Sequence, residues 1–407
     1  MSDLRLFLFD DAVARHWAPF TLTRPAGELL HGCMTLRERI ERVVGARCEG
    51  HLSRGALHGF DEPGAAPVVK LDEIGTRGTR VLLSSRAVPE LETVELPREA
   101  RTITASGRPV GWVIPDDTPL PSEASLTDPE ASEPEGEPFE LDGSVLERPW
   151  DLVVRNPERI RKDVHLLWDD DHAPSGTHRI GGGTVSLGDG AEIEPGTHID
   201  TRDGPVRLDR GASVQGPARL TGPLFVGPGT RILGGQVGSS TIGPVSMVRG
   251  EVADSVLLGF VNKAHDGYLG HALVGRWVNL GAFTTNSDLK NNYRPVSVWT
   301  PDGEVDTGLL KVGCFLGDHV KSGIGTVLNT GTVIGAGSNV FGGLMPPTVV
   351  PPFSWGTGSD LRDHQLDKFL ATAKRVMARR GEELTPGVRR IFEQAWAATA
   401  GRRAEGR

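Results

Sequence analysis

The sequence is short of cysteine, of long apolar runs and of basic charge, and each shortage closes off a class of protein. Its three cysteines, Cys33, Cys48 and Cys314, have neither disulfide nor zinc-ligand spacing, which points to a reducing compartment. No stretch approaches the roughly 18 uncharged apolar residues of a membrane span. The start, MSDLRLFLFDD, has no charged leader followed by an apolar run, so a cytoplasmic location is expected. A net charge of −9 and a pI near 5.8 leave no global basic field to hold nucleic acid or an anionic membrane. Glycine (53) and proline (29) are plentiful, which suits a fold of many tight corners. At 407 residues there is room for two or three domains.

Corners are what the middle of the chain needs. Leu208, Val214, Leu220, Val226 and Ile232 recur every six residues, with Gly, Pro, Asp, Thr and Ser between them. That period is neither helical nor the alternation of a strand. It suits a parallel β-helix, whose short flat strands turn a corner after about six residues and each bury one aliphatic side chain. The spacing begins near Leu187, passes Ile193 and Ile199 and slips once at Pro205. It returns at Ile242 and Val248, at Val274 and Leu280, and at Leu328, Ile334 and Val340. Residues 283–311, with NNYRP, are too long for a corner and should loop out, and such loops often carry function.

The flanks read differently. LRLFLF at 4–9 suits a buried strand ending at Asp10 and Asp11. Residues 35–44 place Leu36, Ile40, Val43 and Val44 on one helical face behind Thr35 as N-cap. With further strands at 79–85 and 109–115, residues 1–165 form an α/β domain. Residues 116–142 hold many carboxylates and prolines and no Lys or Arg, a composition expected to stay disordered. At 156–168, Asn156 as N-cap and Pro157 at the first position predict a helix. The β-helix spans 181–358, and 359–407 is a helical tail with one helix through Leu366, Phe369, Leu370, Ala373, Val376 and Met377 and another after Thr385–Pro386.

Chemistry-bearing residues concentrate at 262–292. His265 is a side chain type that titrates near neutrality and could take a proton from an attacking amine, although the same residue suits an ordinary surface position. A zinc site of His265, His271 and His319 is disfavoured, because six residues put His265 and His271 on adjacent faces of one coil. The run HDGYLGHALVGRWVNLGA at 265–282, within the coil, resembles the acetyltransferase half of the bifunctional enzymes that make UDP-N-acetylglucosamine and their archaeal sugar-1-phosphate relatives. The resemblance implies a left-handed β-helix, acetyl-coenzyme A as acyl donor and His265 as general base. It further implies Asn279 positioning sugar and acyl group, Tyr268 on the substrate phosphate and Ala282 on the coenzyme through its backbone. A family lysine is replaced by Ala253, with Arg249 as substitute. Asp288 takes the place of an acetyl-site asparagine and Asp318 that of a coenzyme-contacting serine. Lys290, in NSDLKNNY, is a substrate-binding candidate. The 283–311 loop is expected to reach a neighbouring subunit, giving a homotrimer with shared sites.

Sugar nucleotidyltransferases open with a glycine-rich phosphate loop that this chain lacks. TRPAGELLHGCMTLRER at 23–39 is similar instead to a variant signature of a shortened subgroup. The resemblance implies a Rossmann-like domain that joins a nucleoside triphosphate to a sugar 1-phosphate and releases pyrophosphate. Arg24 and Arg37 would hold phosphate, and magnesium would be expected, with Asp10 and Asp11 as candidate ligands. On spacing alone the two arginines equally suit ion pairs with Glu28 or Glu38. Two alternatives stay open: only one half is catalytic and the other a scaffold or sensor, or the β-helix is a non-catalytic trimerisation module.

Overall fold

The computed structural model describes residues 4–132 and 136–405. Its N-terminal part is built on β1 (Leu4–Phe9), helix α1 (Leu36–Val44), β2 (Cys48–Leu52), β3 (Thr79–Ser84), β4 (Arg101–Ala105), β5 (Arg108–Ile114) and β6 (Phe139–Glu140). The sheet order is β2-β1-β3-β5-β4-β6. Strands β2, β1 and β3 run parallel, and β5 is antiparallel to both of its neighbours. The alternating α/β pattern thus holds as a mixed sheet. Helix α1 starts as the sequence dictates: Thr35 accepts from the Glu38 amide while Glu38 reaches back to the Thr35 amide, a complete capping box.

Two local expectations fail. Within the acidic stretch, Glu123–Thr127 is helical with Ser122 as cap, and β6 joins the sheet edge. Leu126 and Leu141 supply buried apolar anchors that overrode the composition; residues 133–135 lie outside the described residues. Helix α2 (Asn156–Leu167) forms as predicted with Pro157 in its first turn, but Asn156 is not its cap. The Asn156 side chain accepts from Gly32 N at 2.8 Å and meets Thr241 Oγ1 at 3.1 Å, tying the first domain to the coil.

The coil is a three-sided parallel β-helix whose sheets are stacked in register. Leu208, Val214, Leu220, Val226 and Ile232 are each at most 1% exposed and lie in one continuous interior cluster with Ile242, Val274 and Ile334. One representative coil runs from Val256–Leu257 on the second face through Phe260 at a corner to β7 (Asn262–Lys263) on the third face. It turns at His265 into β8 (Tyr268–Gly270) on the first face, then at His271 back to the second face. The corner between second and third faces is a column of left-handed residues, Val245, Phe260, Trp277, His319 and Phe353, in which Phe260 and Trp277 stack at 4.0 Å. Helices α3 (Leu366–Ala378) and α4 (Pro386–Ala398) cover this column, with Phe369 and Phe392 edge-on to the buried His319 ring.

The first domain packs on the second face. Val256, Leu273, Phe315 and Val333 point outward there and form one core with Trp17, Phe20, Leu29 and Trp150. The 283–311 insertion does leave the coil, as an antiparallel hairpin (Ser297–Thr300 with Gly303–Asp306). Its Val296 and Val298 are buried in that same interdomain core, so this part of the loop packs within its own chain rather than toward a neighbouring subunit. No described helix is long and apolar enough to cross a membrane.

Candidate functional site

In an open α/β sheet, ligands settle beyond the carboxyl ends of the parallel strands, where the strand order turns outward from the central strand. Here the order turns outward at β1, which lies between β2 and β3. Next to that place, past the end of β2, a cleft of about 800 Å³ is lined by Arg15, Ser53, Arg54, His58, Lys70 and Ser122 among others, with Asp72 and Glu123 also on its walls. The residues of the supposedly disordered segment, Leu120 to Leu126, form one of those walls. Arg15 donates from Nε to the Asp10 carbonyl at 2.8 Å, and among the described residues neither Arg15 nor Arg54 forms an ion pair with a carboxylate. Burial lowers the Arg54 guanidinium below its ordinary value; Asp10 opposes this, and Arg15 and Arg402 add to it. Two half-buried guanidiniums with no ion-paired carboxylate make this wall the candidate anion site of the cleft.

The arginines singled out by motif lie elsewhere. Arg24 is 1% exposed and bridges Glu62 (2.9 Å) and Asp318 (2.8 Å), which together hold its proton more tightly than usual despite burial. Arg37 pairs with Glu28 (2.6 Å) and Glu41 (2.9 Å). Both guanidiniums are buried and each is bridged between two carboxylates, so as placed they serve ion pairs rather than a phosphate. The ion-pair alternative was right in kind; Glu28 is one partner, but Glu62 and Asp318 could not be read from spacing. Asp318 also binds Thr23 Oγ1 and the Arg276 amide, so it is no coenzyme contact. Asp10 accepts from Ser53 Oγ at 2.5 Å and from Ala26 N, and Asp11 caps a short helix and pairs with Arg86. Both are buried and committed to protein partners, so as placed neither fits as the carboxylate that a magnesium ion would share with substrate phosphates.

On the coil, the sequence-derived acyl site separates into two groups. His265 stands exposed at the corner between third and first faces. Beneath it, Lys263 donates to the Arg249 and His265 carbonyls (2.8 and 2.6 Å), and burial lowers its amine to about 8. Arg249 pairs with Asp266 at 3.2 Å in this same corner. Asn279 lies in register between Asn262 and Lys321 on the third face, and Ala282 follows at the next turn of the His265 corner. The Asn262 carboxamide donates to Asn279 Oδ1 at 2.8 Å, which leaves the Asn279 N–H groups facing outward. They border a space of about 500 Å³ also lined by Arg379 and Arg380, just past the end of α3. Lys321 Nζ, buried there without a partner, is lowered by that burial to about 8.

Tyr268, Asp288 and Lys290 do not join His265. Tyr268 and His271 both hold Asp288 Oδ2 at 2.7 Å across the other end of β8, and Asp288 is held below its ordinary value by the His271 hydrogen bond. The Tyr268 hydroxyl is raised by burial and by Asp288. Lys290 Nζ donates to the Pro295 carbonyl and braces its own loop. His319 is buried among aromatic rings and lowered well below its ordinary value, which removes it from any zinc triad.

Residues 6–171 match the family model described as sugar nucleotidyl transferase. The chain is 31% identical over 93 residues to a bifunctional sugar-1-phosphate nucleotidylyltransferase/acetyltransferase of Sulfurisphaera tokodaii, covering 23% of each protein. It is 31% identical over 180 residues to the bifunctional protein GlmU of Acaryochloris marina, covering 39% of this chain and 35% of that one. To the putative uncharacterized acetyltransferase YaiX of Escherichia coli it is 27% identical over 135 residues, covering 31% of this chain and 55% of that one. The matches thus span 23% to 55% of these relatives' own lengths. The cleft and the family match fall on the same part of the chain: the residues that line the cleft all lie within the 6–171 that match the sugar nucleotidyl transferase model.

Proposed function

We propose that the chain makes a nucleotide-activated sugar, with nucleotidyl transfer in the N-terminal cleft and acetyl transfer on the coil. The observation that carries the first activity is the pair Arg15 and Arg54, without ion-paired carboxylates, past the carboxyl ends of β1 and β2 in the region that matches this family. A phosphate oxygen of a sugar 1-phosphate, already anionic and needing no base, attacks the α-phosphorus of a nucleoside triphosphate. The bond to the β-phosphate breaks and pyrophosphate leaves with the electron pair. Charge grows on the bridging and leaving oxygens, and preorganised guanidiniums at that place lower the barrier.

In the second activity the amine of an amino sugar phosphate attacks the thioester carbonyl of acetyl-coenzyme A. His265 takes the amine proton, the Asn279 N–H groups steady the carbonyl oxygen as it gains charge, and the thiolate leaves. His265 needs a wall to exclude water. Phe283 and Ile324 follow it along the same corner and are 63% and 73% exposed, with Leu344 beyond them, which supports a homotrimer closing on this edge. The test is a panel of sugar 1-phosphates and nucleoside triphosphates with a magnesium salt, read as pyrophosphate, beside thiol release from acetyl-coenzyme A. His265→Ala should abolish thiol release and leave pyrophosphate release intact. No pyrophosphate from any pair sinks the first activity, and unchanged thiol release in the variant sinks the second.

A further inference from the structure

Beside the nucleotide cleft lies a larger space of about 920 Å³, walled by parts of the chain remote in sequence. Arg15 and Arg54 come from the N-terminal domain, Trp299 from the hairpin, Pro351 from the last coil and Arg402 from the short helix Ala400–Glu405. Arg15 and Arg54 line both this space and the cleft, so the two chambers meet at one cationic wall. The Arg402 guanidinium lies over the Trp299 ring, 5.1 Å from its centroid. Asp302, next to Pro301 in this wall, is taken by His16 at 3.0 Å, and Arg402 has no carboxylate partner among the described residues.

Two phosphorylated substrates must meet for nucleotidyl transfer, and their reacting atoms must come within about 3–3.5 Å in line. The place where both can touch shared cations is the common wall of the two chambers. One chamber sits at the strand ends, where a nucleotide belongs. The other offers an indole, suited to the C–H face of a sugar ring, and a third guanidinium suited to phosphate.

We propose that the 920 Å³ chamber is the sugar 1-phosphate site, with the phosphate between the Arg15–Arg54 wall and Arg402 and the sugar ring on Trp299. This rests on the nucleotidyl-transfer reading and adds that the C-terminal helix and the coil's hairpin complete the N-terminal domain's active site. The lowered Arg54 guanidinium agrees, because Arg402 is close enough to contribute to the lowering.

Calorimetric titration of the full chain tests it, with glucose, galactose, mannose and N-acetylglucosamine 1-phosphates as probes and UTP, dTTP and GTP as nucleotides. Arg402→Ala should weaken the best-bound sugar 1-phosphate by about tenfold or more and change nucleotide binding by less than about twofold, the worth of one charge-assisted hydrogen-bond partner. Arg402→Lys should restore part of the loss. Trp299→Leu should weaken the sugar 1-phosphates by about threefold and leave inorganic phosphate unaffected. The assignment is overturned if the wild type binds no sugar 1-phosphate, if Arg402→Ala leaves that binding unchanged, or if it weakens nucleotide and sugar phosphate alike. Arg402-dependent sugar phosphate binding without pyrophosphate release would sink the nucleotidyl-transfer reading and leave the site standing.

Discussion

Two pairs of arginines in the N-terminal domain invite comparison. Arg24 and Arg37 lie in the motif, are buried and meet four carboxylates between them; Arg15 and Arg54 belong to no motif, are half-buried and meet none. A buried cation matched by carboxylates holds structure, because removing either partner strands the other charge in a dry interior. A cation left unmatched beside a cavity costs stability and is retained for what it binds. Counting partners separates the roles that residue type and spacing leave mixed.

The sharpest way to break this distinction is Asp318→Ala, which leaves Arg24 with Glu62 alone. Unfolding free energy from urea titration should fall by about 3–5 kcal/mol; a loss under about 1 kcal/mol would make the pair ornamental. Next, Arg54→Ala should cut pyrophosphate release by about 10²–10³-fold while the urea midpoint stays level or rises. A parallel drop in stability would put Arg54 in the class of Arg24.

Lys321 extends the comparison to the coil. The folded amine gives up its proton near pH 8, whereas the unfolded one keeps it to about 10.5. Between those values the unfolded chain binds more protons, so stability rises with pH; below pH 8 the burial penalty is fully present. Lys321→Met should therefore stabilise by about 2 kcal/mol at pH 7, with some screening allowed for, and the advantage should vanish as pH climbs through that window. A pH-independent difference would mean the amine finds a partner. The smallest effect is expected from Thr35→Ala, which opens the capping box of α1 for about 1 kcal/mol and should leave both activities unchanged by the assays above.

What could be read from the residues follows how local each signal is. The coil was legible because each repeat reports its own interior position, and all five residues from Leu208 to Ile232 face inward. The capping box at Thr35 and the tail helices were legible for the same reason. The strands also distinguish the faces of the coil. On the second face the strands carry paired apolar residues, Val256–Leu257, Leu273–Val274, Phe315–Leu316 and Val333–Ile334, one for the interior and one for the covering domain. On the third face the outward member is Asn262, Asn279 or Lys321. That contrast marks which side is covered. The candidate site was harder, because partners such as Asp318 for Arg24, or Arg402 for the Arg54 cavity, lie hundreds of positions away and no period links them. The acidic segment misled because composition does not register two well-placed leucines, Leu126 and Leu141.

The bond between Arg24 and Asp318 joins residues 294 positions apart. During synthesis the N-terminal domain emerges first, with Arg24 held by Glu62 alone and an apolar flank made for Phe315 and Val333. Its completion waits for the ribosome to deliver the later coils, so a chain cut after residue 171 would expose that flank and aggregate rather than behave as a detachable enzyme.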